Sequence, residues 1–82
     1  MSDKIRYVVQ RFPDLAQAIK QCCADNRFFS SLCEDYGEAV EVLRSLDGDG
    51  STEALNRLAA CRELVEDLER EILEDLEHRL GG

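Results

Sequence analysis

The sequence predicts an all-α protein: an antiparallel helical hairpin with an N-terminal helix laid on it, forming a small three-helix bundle. Two observations carry this expectation. Apolar residues recur at steps of three and four over long stretches, the spacing of one helix face. Gly and Pro are scarce, five and one, and β-branched residues form no alternating run of the kind that marks a strand. The chain is 44% hydrophobic and 34% charged, too apolar for a disordered segment and ordinary for a helical one.

Each element has its own local signals. Ile5, Val8 and Val9 suggest a short helical lead-in over about 4–11. Pro13 disfavours an α conformation at Phe12, so a bend is expected there. Pro13 also suits the first turn of the next helix, because its missing N–H would lack a partner there anyway. From it, Phe12, Leu15, Ile19, Cys22 and Cys23 fall on one side of a helix over about 13–24. Asp25 or Asn26 can cap a second helix over about 27–46. On this helix Phe28, Phe29, Leu32, Tyr36, Ala39, Val40, Leu43 and Leu46 cover roughly half the circumference at about 100° per residue. Gly37 lies inside it, at the edge of the apolar face, where it either is simply tolerated or lets another backbone come close.

The third helix, about 52–80, is the longest. Ser51 is its candidate N-cap, Glu53 suits its first turn, and Gly81 and Gly82 end the run. Leu58, Cys61, Val65, Leu68 and Ile72 step like a coiled-coil seam, and Leu55, Leu64 and Leu73 widen the stripe to nearly half the helix. A face that wide suggests two neighbours. The third helix also outreaches the second by about 12 Å at 1.5 Å per residue, so something must cover Ile72, Leu73, Leu76 and Leu80. The N-terminal helix and a second copy of the chain are the two candidates. Leu64, Leu73, Leu76 and Leu80 are accordingly the expected interface residues.

Between the second and third helices, "SLDGDGSTEALN" resembles a calcium-binding loop. With Gly50 at the sixth position of an EF-hand loop, Asp47, Asp49 and Glu53 fall at ligand positions. The two anchoring positions hold Ser45 and Asn56, and Asn56 cannot supply a bidentate carboxylate. A plain turn needs less, because Gly accepts positive φ and Asp bonds its own backbone. The stretch is read first as a hairpin turn, with a weak calcium or small-ligand site at Asp47, Asp49 and Glu53 as the alternative. No other metal and no cofactor is implied.

Charge narrows the partners. The net charge is −8, which argues against nucleic acid and against anionic membrane surfaces. Residues 1–27 carry five basic side chains against three acidic, a balance of +2; residues 28–82 carry five against fifteen, a balance of −10. A basic head on an acidic body suits a basic protein partner or a second copy, and equally a solvated face. "MSDKIRYVVQRF" lacks the apolar run of a signal peptide, and no stretch reaches the roughly 20 apolar residues that span a bilayer. A cytoplasmic location is expected, where Cys22, Cys23, Cys33 and Cys61 remain thiols. Their spacing matches no zinc or C-x-x-C pattern. They read as small buried hydrophobes, with Cys33 and Cys61 placed to face each other across the hairpin. His78 is the one histidine and has no matched nucleophile near it in sequence, so no catalytic residue is expected.

"FSSLCEDY" (Phe29, Leu32, Tyr36), followed by the turn and "LEREILEDL" (Leu68, Glu71, Ile72, Leu76), resembles the YdcH-type family of small bacterial helical-hairpin proteins. The "FPDLAQAI" lead-in is similar to that family's N-terminal segment. The resemblance spans roughly residues 12–76 and rests mostly on core-packing positions. It departs in an acidic third helix, where such proteins are often basic, and in the extra Asp-Gly repeat of the turn. It implies a bacterial cytoplasmic hairpin and carries over no catalytic or ligand residue. The expected function is that of a small acidic helical protein-protein interaction module, self-associating through its long C-terminal helix or acting as an adaptor, and not an enzyme.

Overall fold

Two capped breaks and one kink divide the described residues into four α-helices. The computed structural model describes the backbone of residues 4–80 and the side chains of residues 4–79. Helix α1 (Ile5–Arg11) ends at Phe12, whose φ of −127° and ψ of 68° turn the chain out of the helix. A single 3-10 turn, Pro13–Leu15, follows and leads into α2 (Ala16–Asp25). The expected bend is therefore present, and the expected helix from residue 13 begins as a tighter turn. The side-chain oxygen of Asn26 accepts from the Phe29 N–H (2.9 Å) and starts α3 (Arg27–Asp49). The Ser51 hydroxyl accepts from the Ala54 N–H (3.1 Å) and caps α4 (Thr52–Leu80). The expected stop at Gly81 and Gly82 lies outside the described residues.

One boundary differs from expectation. Helix α3 runs on through Asp47, Gly48 and Asp49, three residues past Leu46, and stops at Gly50 with φ +78°. A single glycine inside a long packed helix costs only about 1 kcal/mol, whereas the left-handed conformation at Gly50 ends the hydrogen-bond ladder outright. The hairpin turn is thus two residues, Gly50 and Ser51.

The protein is all-α, a small helical bundle, and no strand occurs among the described residues. Helices α3 and α4 pair along their length. At 1.5 Å per residue they measure about 34 and 43 Å, and the longest dimension of the molecule is 45 Å. Helices α1 and α2 both pack on α3, and α2 also reaches α4. The core they enclose is apolar: Val8, Ile19, Phe29, Cys33, Ile72 and Leu76 are all but inaccessible. The N-terminal helices therefore cover the far end of α4, where Ile72 and Leu76 sit. The Arg79 guanidinium stacks 6.0 Å over the Phe29 ring and closes that end.

Gly37 shows how tightly α1 is seated. A Cβ built there would lie 2.6 Å from both the Cβ and the carbonyl oxygen of Lys4. The glycine lets the first turn of α1 rest directly on the α3 backbone. Close approach, not tolerance, explains it.

A polar tie joins three helices. The Tyr36 hydroxyl on α3 donates to Glu69 Oε2 on α4 (2.7 Å), and Arg11 Nε at the end of α1 donates to the same oxygen (3.0 Å). Tyr36 is buried. Burial first, and then the bond to Glu69, hold its hydroxyl well above the usual phenol range.

Candidate functional site

The α3–α4 hairpin has two faces, and α1 and α2 cover one of them. The other carries a row of surface depressions lined only by α3, α4 and the turn between them. On α3 the lining positions include 28, 32, 35, 39, 42 and 46, with 38 and 49 beside them; on α4 they include 57, 61, 64, 68, 71 and 75. Both series step alternately by three and four, the spacing that keeps one stripe facing a neighbour along a helix pair. The depressions are therefore one groove that follows the hairpin. From Phe28 to Leu46 it runs about 27 Å, or five helical turns.

The centre of the groove is apolar. The Cys61 thiol donates to the Ala39 carbonyl (3.5 Å), so the helices meet there through small side chains. Val42 and Leu64 stand on either side at 48% and 50% exposure, and Leu68 adjoins them. This central depression has a volume of about 380 Å³, with Asp35 and Glu38 on its rim. A second depression of about 430 Å³ lies at the open end, between Phe28, Leu32 and the carboxylates of Glu71, Glu74 and Asp75. Phe28 is 79% exposed, an unusual setting for a phenylalanine, and His78 stands beside it.

The rim carboxylates differ in their partners. Glu38 meets Lys4 at 3.9 Å, and Asp75 accepts from Arg79 at 3.2 Å. Asp35, Glu71 and Glu74 have no ion-pair partner among the described residues. At its centre and open end the groove is thus an apolar floor between acidic walls, while its turn end is more polar and carries Arg57.

The residues expected to form an interface separate in the structure. Leu64 is in the groove, and Leu73 is half-buried. Leu76, 2% exposed, lies in the core beneath the N-terminal helices and is not a surface residue. The expectation that it faces a partner is corrected: the bundle itself covers the overhang of α4. The Leu80 side chain lies outside the described residues. Phe28 departs in the opposite sense, since it belongs to the open groove rather than to the buried stripe.

The calcium-loop alternative loses its geometry. Asp47 and Asp49 are residues of α3, and Glu53 is in the first turn of α4. Asp49 Oδ1 accepts from the Ser51 N–H (3.3 Å) as a turn-forming aspartate does. Among the described residues, no group of three His, Cys, Asp or Glu side chains converges as a metal site.

The cysteines also fall differently. Cys22, Cys23 and Cys33 are all buried, so both members of the Cys22–Cys23 pair reach the interior. Cys33 is buried in the core with Cys23 of α2, whereas Cys61 lies at the groove floor. Burial above all, then the charge that would arise on Cys23, pushes the Cys33 thiol far above its usual range. Burial raises Cys23 as well, with the hydrogen bond to Cys33 opposing it. Thiols held protonated in this way are poor nucleophiles.

No protein-family model, curated protein or solved structure matches the chain. No described helix is long and apolar enough to cross a membrane.

Proposed function

We propose that this chain is a small acidic protein-interaction module, working in the cytoplasm as an adaptor, which engages its partner through the α3–α4 groove and catalyses no reaction. The observation that carries this reading is the contrast at Leu64 and Val42. They are half-exposed aliphatic side chains at the centre of an apolar strip, on a molecule whose other apolar stripe is buried at its core positions. Contiguous apolar surface of this kind, rimmed by polar groups, commonly marks a protein-binding site. The thiols support the non-enzymatic part, because the three buried ones lie in the core and two of them have raised pKa values. His78 supports it too, since the residues lining its depression include no cysteine, serine or threonine. The YdcH-type resemblance is compatible with a free-standing helical hairpin and adds no activity.

Capture of the tagged chain from its own cells, beside a Val42→Asp, Leu64→Asp variant, tests this. A stoichiometric partner held by the parent and lost from the folded variant is expected. A partner held equally by both would place the interface elsewhere and overturn the reading. Sedimentation of the purified chain separates hetero-association from pairing: a monomer is expected, and a dimer dispersed by Leu64→Asp would make the partner a second copy.

A further inference from the structure

We propose that the groove takes a basic amphipathic helix from another protein, laid along α3 and α4 as an additional helix of the bundle. This rests on the docking reading above and specifies the occupant. Three features of the groove select it. Its lining positions repeat at alternating steps of three and four on both helices, so its walls are helical ridges of the kind into which the side-chain rows of another helix pack. Its length, about 27 Å, suits a segment of about 18 residues in helical form. Its floor is apolar at Val42, Leu64 and Leu68, while Asp35, Glu71 and Glu74 on its walls have no ion-pair partner among the described residues.

Charge then decides between a foreign helix and a second copy. Two copies meeting groove to groove would bring carboxylates together, within the roughly 8 Å over which charges still interact at physiological salt, with Arg57 at the turn end the single Arg or Lys among the lining residues to offset them. The chain's own basic head offers no alternative occupant. Val8 of α1 is already buried in the core, and Arg11 is held by Glu69 at 3.0 Å. The complementary partner presents leucine-like side chains at steps of three and four, with Lys or Arg on both flanks of that stripe. Two or three rim ion pairs, each of modest strength, give such a helix a preference of roughly tenfold over an uncharged one.

Three designed peptides of about 20 residues test this against the full chain. One carries a leucine stripe flanked by Lys and Arg; the second keeps the stripe with Glu flanks; the third keeps the basic flanks but replaces the stripe with Ser. Amide NMR shifts map the site, and alkylation of Cys61, the one cysteine of the four that is not buried, reports occupancy of the groove floor. The first peptide is expected to shift amides around Val42, Leu64 and Leu68 and to slow alkylation of Cys61. It should bind about tenfold more tightly than the second and lose much of that advantage in high salt. An Asp35→Asn, Glu71→Gln, Glu74→Gln variant should lose the same advantage while still binding. Equal binding of the Lys- and Glu-flanked peptides in the groove would overturn the basic class and leave the docking site standing. Equal binding of the Ser-replaced peptide would reduce the effect to general charge attraction. If none of the peptides perturbs the groove, both the helix occupant and the docking site fall.

Discussion

The two faces of the α3–α4 hairpin are built to the same spacing and end in opposite states. On one face Phe29, Cys33, Tyr36, Ile72 and Leu76 are sealed under α1 and α2; on the other Val42 and Leu64 remain half-exposed. The difference lies in what each face offers a neighbour. The sealed face is apolar apart from the knot Tyr36–Glu69–Arg11, which is internally satisfied. The open face is apolar only in its middle and is fenced by carboxylates. A periodic apolar stripe therefore locates a surface that wants covering, while the flanking charge indicates whether the chain can cover it itself.

Substitutions can break this contrast. The largest effect belongs to the sealed face: Phe29→Ala removes a fully buried ring and should cost about 3–5 kcal/mol in urea unfolding. In a bundle this small it is expected to leave much of the population unfolded. Gly37→Ala comes next. Its methyl group meets the Lys4 backbone at 2.6 Å, a clash of about 1–3 kcal/mol set against about 1 kcal/mol of helix propensity gained. Loss of hydrogen-exchange protection confined to α1 would show that the clash is relieved by undocking that helix.

Tyr36→Phe should cost about 1–2 kcal/mol, because it removes a hydrogen bond to a carboxylate at the junction of three helices. It also alters the response to pH. Tyr36 and Cys33 both have folded-state pKa values raised above their unfolded ones. Their protonated forms are thus favoured by folding, and stability is fully present below the unfolded pKa values of about 8.5 for Cys and about 10 for Tyr. It is lost as pH rises through the range above them. The parent should lose stability from about pH 9 upward, and a Cys33→Ala, Tyr36→Phe variant should show a flatter alkaline limb. The smallest effect belongs to calcium: millimolar ion should leave the amide shifts of residues 45–56 unmoved, since Asp47 and Asp49 sit on a continuous helix.

Much of the fold was legible because its signals are local. Pro13, Asn26 and Ser51 mark helix boundaries through capping and backbone preference, and the structure places a bend or cap at each. The coverage of the faces was not legible, because it depends on tertiary packing. Leu76 and Leu64 belong to the same broad stripe of α4, and only the placement of α1 and α2 buries the first and leaves the second open. Phe28 and Val42 were misjudged or passed over for a related reason. Phe28 and its buried neighbour Phe29 are one chemical type in the sequence, yet they point about 100° apart on a helix. Val42 lies seven residues from Asp35 and fourteen from Phe28, a stripe that becomes visible only when charged and apolar positions are read together. The α3 extension to Asp49 was hidden by Gly48, which suggests a turn in sequence yet is absorbed into the helix.

The central claim is that one face holds the fold and the other is free of that duty. Urea unfolding of Ile72→Ala beside Val42→Thr, Leu64→Gln tests it most directly. Ile72→Ala is expected to lose about 2–5 kcal/mol, while the groove variant stays within about 0.5 kcal/mol of the parent for each substitution. A groove variant that unfolds as readily as Ile72→Ala would mean that the open face is part of the core, and that contradicts the account.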